Sequence, residues 1–589
     1  MKHFFLSLGF ILSTFIPFAT AQKIADKHLA LNIRVECPAC IDKEGNLTKS
    51  ADTLQNLHIM IDTAYSWEGF HFPNLKQLKF YRTYLYVFPD KLPANLNKLS
   101  FVDIVIEELP EELPANLKEL HFLFVEVKKF PKQLPRKLKI LHCSSLLSKS
   151  FPDKLPPTLT DLVITHSTIN SLPNKLPATL TDLTVSSCHI NSLPKELPKG
   201  LVYLDISNNK VSSLPDKLPA GLKELNVSNN KISSFPKEFS TTLEEVDISK
   251  NKIGSIPQEL PPLLKKLNIS NNPIVGKFEQ LPVYLEELNF NNTKISSLPG
   301  KLPRYLLKLD AGKSLISSLN LDNAKLLEVL NVEYDTLLPL LPRLPSQLKE
   351  LNCSNMEIVN FYDELPTTLE VLDCSSNYLD SIKIAMPAQL RVLKCGSNTD
   401  LVKIPVLPST LKELDISFVG DLDTNFKLPI GLEKLSGGGF YENRFLFSNL
   451  PAELQELHLI FSVPDNAFNH LPSGLKVLNC TLANLKSLPN NLPNSIEEMD
   501  VSFNDLTTLP DKLPDNLRVL NCSENQLSKL PDNLPASLRN INCSSNTIKS
   551  LPRLPEGLVF LNFENTEIKC VPNKPEGGVD WMDLPLCKD

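Results

Sequence analysis

Apolar and polar residues alternate over a short segment that recurs every 21 residues along most of the chain. The copy from Leu222 reads LKELNVSNNKISSFPKEFS, the preceding copy from Leu201 reads LVYLDISNNKVSSLPDKLP, and a late copy from Leu517 reads LRVLNCSENQLSKLPDNLP. The L-x-x-L-x-[VICF] part has the alternation of a half-buried strand, with Leu225 and Val227 pointing inward. Each copy therefore predicts one short strand, and successive copies predict parallel strands in register.

An asparagine such as Asn230 follows most of these strands, and one or two prolines, such as Pro215 and Pro219, come later in each copy. A buried amide at this position can bond the backbone of adjoining turns. Prolines exclude a regular helix from the return segment, where we expect extended, polyproline-like or short 3₁₀ structure. So short a period with this leucine pattern is typical of a leucine-rich repeat. We predict a leucine-rich repeat solenoid, a horseshoe or superhelix with parallel β-strands on its concave face, in which about 25 turns span residues 54–571.

The two ends of the chain differ from the repeats. An apolar run from Phe4 to Phe18 precedes Ala19-Thr20-Ala21, which predicts a signal peptide over residues 1–21, with an uncleaved anchor as the alternative. Residues 22–53 are expected to form an N-terminal cap, and residues 572–589 a C-terminal cap or tail. Because no later run is long enough to span a bilayer, we expect a secreted, cell-surface or periplasmic protein. The net charge of −7 argues against a nucleic-acid partner.

The cysteines fall into two groups. Cys37 and Cys40 form a CxxC pair that suits a local disulfide better than a redox centre or a zinc half-site, and Cys570 and Cys587 bracket the tail that contains Trp581. We predict a disulfide within each pair. The other cysteines occupy inward strand positions, or in one turn the asparagine position, and are expected to be buried free thiols.

The N-terminal repeats depart from the polar pattern of the later strands. Where later turns carry serine, successive turns carry Met60, Tyr81, Val102 and Leu123, with Phe124 beside the last of these. The outward positions two residues earlier, in the last of these turns and in the turn after it, are histidines, His121 and His142. We interpret them as polar edge groups rather than metal ligands. An exposed apolar stripe of this kind commonly marks an interaction surface. The alternative is that the N-terminal cap folds over the stripe.

Two other surfaces are weaker candidates. The SGGGFYENRF segment contains Phe440 and Tyr441, with Phe461 in the next turn, and is either a contact loop or a decayed repeat. Outward rows of Asp, Asn and Ser in the later turns suit a solvated face, although calcium or a polysaccharide could also use such groups.

The frame L-x-x-L-x-V-S-x-N-x-I-x-x-L-P resembles bacterial leucine-rich repeats of the short, LP-containing type. Such repeats occur in injected effectors, including the invasion-plasmid-antigen family of ubiquitin ligases, and in surface proteins of invasion and adhesion. The ligases add a large helical domain with a catalytic cysteine, whereas here only a short tail follows the last repeat. The resemblance implies a binding scaffold for a protein partner. The alternatives are the substrate-recognition part of a ligase-like effector and a polysaccharide-binding surface protein.

No nucleophile elbow, phosphate loop, HExxH or paired-carboxylate motif is present in the sequence. We therefore predict a protein that is not an enzyme and needs no cofactor or metal. The sequence leaves the oligomeric state and the identity of the partner open.

Overall fold

The computed structural model describes the following residues: 23–60, 66–81, 84–85, 91–148, 151–257, 259–338, 340–439, 450–461, 468, 470–575 and 585–587. The chain divides into two compact units, unit 1 up to Ile253 and unit 2 from Gly254. The predicted signal peptide, Phe440, Tyr441 and Trp581 lie outside the described residues. None of the helices in the described part of the chain is long and apolar enough to cross a membrane.

The N-terminal cap contains one α-helix, α1 (Lys27–Glu36), and two 3₁₀ helices (Pro38–Cys40 and Lys49–Thr53). Asp26 begins α1 as its N-cap, because its carboxylate accepts hydrogen bonds from the backbone N–H groups of His28 and Leu29. One face of the helix buries Leu29 and Ile33. A disulfide joins Cys37 to Cys40 just after the helix ends.

Unit 1 contains a parallel sheet in which each strand pairs with its equivalent one turn later. Its strands are β1 (Asn56–Met60), β2 (Gln77–Tyr81), β3 (Tyr84–Leu85), β4 (Lys98–Ile106), β5 (Glu119–Val127), β6 (Ile140–Leu147), β7 (Asp161–Thr165), β8 (Asp182–Ser186), β9 (Tyr203–Asp205), β10 (Glu224–Asn226) and β11 (Glu245–Asp247). The register follows the repeat, so that Leu57, Leu78 and Leu99 are direct neighbours. All three leucines are buried, as the alternation in the sequence predicts.

Unit 2 continues the same arrangement of one short strand per turn. Its strands are β12 (Lys266–Asn268), β13 (Val275–Lys277), β14 (Glu287–Asn289), β15 (Lys294–Ser297), β16 (Lys308–Asp310), β17 (Val329–Asn331), β18 (Glu350–Asn352), β19 (Val371–Asp373), β20 (Val392–Lys394), β21 (Glu413–Asp415), β22 (Lys434–Gly439), β23 (Glu456–Phe461), β24 (Val477–Asn479), β25 (Glu498–Asp500), β26 (Val519–Asn521), β27 (Asn540–Asn542) and β28 (Phe560–Asn562). Strands β13 and β15 form a separate parallel pair. The predicted leucine-rich repeat fold is thus confirmed.

The asparagine ladder that the sequence predicts is present. The side-chain NH₂ of Asn230 donates to the backbone oxygens of Ile206, Val227 and Ser228, and its oxygen accepts from the N–H of Val211. One amide thereby satisfies backbone groups that the bend after each strand leaves unpaired.

Cysteine replaces the ladder asparagine in one turn of unit 1. The thiol of Cys188 lies 3.7 Å from the oxygen of Ile164 and 3.3 Å from that of Ser186. These acceptors stand at the same sequence offsets as two of the acceptors of Asn230, so the thiol substitutes for the donor half of the amide.

Three N-terminal turns lack a polar ladder residue. Ile104, Val125 and Leu146 occupy the position and are buried, and β4, β5 and β6 run on through it for eight or nine residues. Without a polar side chain to take up the backbone groups of the bend, the strands continue and pair with one another. In the core of these turns the rings of Phe80, Phe101 and Phe122 stack, with neighbouring ring centroids 5.4 Å apart.

The return segments are extended and contain no helix among the described repeat residues. Each ends in a tight turn that presents the first leucine of the next repeat, as where the N–H of Leu222 donates to the oxygen of Pro219 over 3.1 Å. The 3₁₀ structure that the sequence allowed for the return segments is absent from their described residues, and the described 3₁₀ helices lie in the cap. At the C-terminus a disulfide joins Cys570 to Cys587, and Val571 exchanges backbone hydrogen bonds with the segment 585–587.

Candidate functional site

The structure aligns the apolar residues predicted to mark an interaction surface. Met60, Tyr81, Val102 and Leu123 lie opposite one another across β1, β2, β4 and β5. We call these four residues together with Phe124 the N-terminal stripe. The next residue in the row, on β6, is Ser144, where the polar pattern begins.

The described part of the cap lies against the first strand and leaves the stripe accessible. The side chain of Asn32 on α1 donates to the backbone oxygen of Met60 and accepts from its N–H. The cap thereby satisfies the backbone hydrogen-bonding groups of Met60 at the free edge of β1. The side chains at the two ends of the stripe remain open, because Met60 and Phe124 are each 61% exposed and Leu123 is 38% exposed. Tyr81 and Val102 between them are half-buried.

Phe124 holds an unusual backbone conformation for an aromatic residue. Its φ is +53°, in the left-handed region, and the equivalent residues of later turns in unit 1 include Ser145, Asn208 and Asn229. Asparagine adopts this region more readily than a bulky side chain does. The backbone strain at Phe124 is of order 1 kcal/mol, and burial of the ring does not offset it because the side chain is exposed.

Charged and polar groups flank the stripe on one side. The rings of His121 and His142 lie 4.9 Å apart edge to face. His121 approaches Glu119 at 3.3 Å, Lys98 approaches Glu119 at 2.8 Å, and His142 approaches Asp161 at 2.9 Å. These contacts form a rim of mixed charge beside an apolar row.

Two side chains of this rim have shifted pKa values. Burial lowers the pKa of His121, and the charges of Lys98 and His142 lower it further against the raising effect of Glu119. The bond from Lys98 in turn lowers the pKa of Glu119. Among the described residues, no group of three or more His, Cys, Asp or Glu side chains is placed to hold a metal ion.

The Asp, Asn and Ser rows of the later turns, which the sequence places on a solvated face, are engaged in local hydrogen bonds. Many of the serines are not outward but buried, as Ser249 is at 6% exposure. One oxygen of Asp247 accepts from the N–H of Ser249 at 2.9 Å and from its hydroxyl at 2.6 Å. The same pair of bonds recurs in unit 2, for example between Asp373 and Ser375. These side chains bend the chain at the end of each strand, a structural role that explains why they recur with the repeat.

The second predicted candidate is only partly described. Phe461 ends β23 and is 40% exposed, and its ring meets that of Phe418 edge to face with centroids 5.1 Å apart. Gly439 at the end of β22 lies so close to Phe418 that an added Cβ would come within 2.8 Å of its backbone. The absence of a side chain at Gly439 therefore allows the end of β22 to pack closely against Phe418.

Sequence reasoning missed another exposed row, which we call the tyrosine stripe: Leu263, Tyr284, Tyr305 and Leu326. These residues precede the first leucine of four consecutive repeats in unit 2, and each is at least 36% exposed. The rings of Tyr284 and Tyr305 are stacked at 6.4 Å. The signal was present in the sequence, because the other turns of unit 2 carry a polar residue or glycine here, such as Thr368, Gly431 and Ser495.

Thr368 and Ser495 show what that polar residue does. The hydroxyl of Thr368 donates to the backbone oxygens of Ser346 and Leu348, and that of Ser495 donates to the oxygen of Leu475. The side chains of the tyrosine stripe replace the hydroxyl groups that make these bonds between turns, and they expose apolar surface instead.

A groove of about 1660 Å³ lies in unit 1, along the return segments between residues 126 and 178. Leu147, Phe151, Ile169 and Leu172 supply much of its apolar lining. The volume exceeds the roughly 300–1,000 Å³ of typical small-molecule sites. Its lining also contains charged side chains, among them Glu126, Lys128 and Asp153.

Comparison with known proteins identifies the repeat. A family model described as Leucine Rich Repeat matches residues 221–241 and 516–536, and a second, described as Leucine Rich repeat, matches residues 239–256. No curated protein sequence matches the chain significantly.

Several solved structures are similar to the chain. YopM from Yersinia enterocolitica WA-314 is 25% identical over 91% of this chain and 92% of its own, with a TM-score of 0.37. The functional domain of InlJ from Listeria monocytogenes is 20% identical over 56% of this chain and 69% of its own, with a TM-score of 0.41. A leucine-rich repeat protein of Leptospira interrogans is 18% identical over 85% of this chain and 92% of its own, with a TM-score of 0.33.

Proposed function

We propose that this leucine-rich repeat protein is an exported, non-enzymatic scaffold that binds a protein partner through the N-terminal stripe. The observation that carries the proposal is the row of Met60, Tyr81, Val102 and Leu123 in direct register on four neighbouring strands. In many of the later turns, the equivalent position is a serine that helps to end the strand, as at Ser249 and Ser375.

The chemistry of the stripe suits a protein partner. Interface cores are enriched in aromatic residues and methionine and are surrounded by a polar rim. The stripe supplies Tyr81, Phe124 and Met60 as anchors, and the ion pairs around Glu119 supply the rim. Because the anchors project from paired strands, little conformational entropy is lost when a partner docks.

Export is supported by the two disulfides and by the signal peptide predicted over residues 1–21. Disulfides between Cys37 and Cys40 and between Cys570 and Cys587 are typical of proteins that mature in an oxidising compartment. The partner is accordingly sought among surface or extracellular proteins.

A capture experiment with two matched triple variants tests the proposal. The first variant, Tyr81→Ser/Leu123→Ser/Phe124→Ser, replaces three of the five side chains of the N-terminal stripe. The control, Tyr284→Ser/Tyr305→Ser/Leu326→Ser, replaces three of the four side chains of the tyrosine stripe. Circular dichroism establishes that both variants are folded. We expect wild type and control to capture the same protein from surface or host extracts, and the first variant to lose it at least tenfold.

Other outcomes discriminate between the alternatives. Loss of capture only in the control would move the site to the tyrosine stripe. Equal capture by all three proteins would refute a role for the N-terminal stripe. Failure to capture protein, combined with binding to a glycan array, would favour a polysaccharide-binding protein. A captured partner that carries ligase activity would favour a substrate-recognition module.

A further inference from the structure

One turn of unit 2 carries a carboxyl group where the ladder requires an amide. In a regular turn, the NH₂ group of Asn377 donates to the backbone oxygens of Cys353, Cys374 and Ser375. Its side-chain oxygen accepts from the N–H groups of Met356 and Ile358, which lie 21 and 19 residues earlier, each over 3.0 Å. The two halves of the amide thus have opposite roles, one as donor and one as acceptor.

Asp335 occupies the equivalent position, 42 residues before Asn377, and is 1% exposed. Its Oδ1 accepts from the N–H and the hydroxyl of Ser314, 21 residues earlier, at 2.8 and 3.0 Å. Oδ1 therefore reproduces one of the two acceptor contacts of the amide, the one to the N–H 21 residues earlier, while the N–H of Ile316, 19 residues earlier, donates to the Ser314 hydroxyl. Its Oδ2 is buried and has no hydrogen-bond partner among the described residues.

The orphaned oxygen falls where a ladder asparagine has its donor. At the offsets shown by Asn377, the acceptors of a ladder donor are the backbone oxygens of Ala311, Val332 and Glu333, of which the last two already accept one backbone bond each, from the N–H groups of Asp335 and Lys313. A carboxylate oxygen among carbonyl oxygens repels them, whereas a protonated Oδ2 donates a hydrogen bond in place of the missing N–H.

The surroundings favour the neutral acid. Burial raises the pKa of Asp335 to about 7, and the negative charges of Asp310 and Glu333 add to that rise against the two bonds from Ser314. Lys313, one turn earlier, pairs with Glu333 at 3.5 Å. The next turn places the apolar Met356 in the ladder. No ion pair among the described residues reaches Asp335 to stabilise its charge.

We propose that Asp335 is held as a neutral carboxylic acid whose Oδ2–H completes the ladder, and that this turn is a pH-sensitive element that loosens when the proton is lost. Because the folded-state pKa lies above the usual 3.8, the contribution of the protonated group is fully present in acid and is lost as pH rises through about 7. Between these limits, opening of the turn releases one proton, so the opening equilibrium rises about tenfold per pH unit.

Hydrogen exchange on the full-length chain tests this inference. The reporter is the amide of Ser314, which donates to Asp335, and the reference is the amide of Met356, which donates to Asn377. After correction for intrinsic exchange, we expect the protection of Ser314 to fall about tenfold per unit between pH 5 and pH 7, while that of Met356 stays constant.

Two variants keep the test decisive. Asp335→Asn supplies a pH-independent donor, so the protection of Ser314 should become constant with pH and exceed that of wild type at pH 8. Asp335→Leu removes both halves of the interaction and should lower protection at every pH without a pH dependence. Protection of Ser314 in wild type that is constant from pH 5 to pH 8, or an Asn variant that keeps the wild-type slope, would overturn the proposal.

Discussion

The asparagine ladder predicts a large and local cost for removing one buried amide. The side chain of Asn525 donates to the backbone oxygens of Val501, Cys522 and Ser523 at 2.9, 3.2 and 3.0 Å and accepts from the N–H of Leu506 at 3.0 Å. Substitution by alanine leaves four backbone groups without this partner in a site where the side chain is 9% exposed. At about 1 kcal/mol for each lost bond, the expected destabilisation is about 3–4 kcal/mol.

The neighbouring residue provides a matched control. Gln526 carries the same amide group on the exposed side of the chain and makes one bond, to Asp505 at 2.9 Å. The variant Gln526→Ala should change stability by less than about 0.5 kcal/mol.

Local hydrogen exchange is a better assay here than global unfolding. Repeat proteins can open turn by turn, so that a single free energy of unfolding is not well defined. A loss of 3–4 kcal/mol corresponds to a decrease of roughly 10²- to 10³-fold in the protection of the Leu506 amide in Asn525→Ala. If the protection factor of Leu506 were the same in Asn525→Ala and in Gln526→Ala, the ladder would not be the element that holds successive turns together.

The other predictions concern the core and the thiols. Phe101→Ala removes the middle ring of a buried stack and should destabilise the surrounding turns by about 3–5 kcal/mol, measured as lost hydrogen-exchange protection of the β4 and β5 amides. Phe560 is 51% exposed, so Phe560→Ala should cost less than about 1 kcal/mol when the amides of β27 and β28 are followed in the same way, and equal costs would contradict the packing argument. Burial raises the pKa of the Cys543 thiol to about 12, and the other free cysteines are likewise buried. Ellman's reagent at pH 8 should therefore label none of them within minutes in the native protein and all of them in urea, whereas rapid native labelling would show that the strand cysteines are accessible.

Much of the fold follows from the sequence, because one pattern fixes many residues. The spacing of the leucines predicts the register in which Leu57 pairs with Leu78, and the one-residue slip in the spacing after Leu432 appears as the pairing of Lys434 with Glu456. Inward and outward faces follow from the period-two alternation of the strands.

The departures are harder to predict, because they depend on contacts rather than on period. The extension of β5 past Phe124 follows from the buried Val125, which stands where later turns have the ladder asparagine. The orphaned oxygen of Asp335 becomes evident only when its partners are counted. For the N-terminal stripe, the sequence predicts the outward row. The structure adds that Asn32 of α1 bonds the backbone of Met60 at the edge of β1 and leaves the Met60 side chain exposed.

Site-specific photocrosslinking tests the central proposal most directly. A benzophenone amino acid placed at Leu123 reports on the N-terminal stripe, and the same group at Tyr305 reports on an equally accessible apolar position elsewhere. If the stripe binds the partner, irradiation in surface or host extracts should join one protein to the Leu123 probe and leave the Tyr305 probe without it. Crosslinking of that protein at Tyr305 and not at Leu123 would contradict the account.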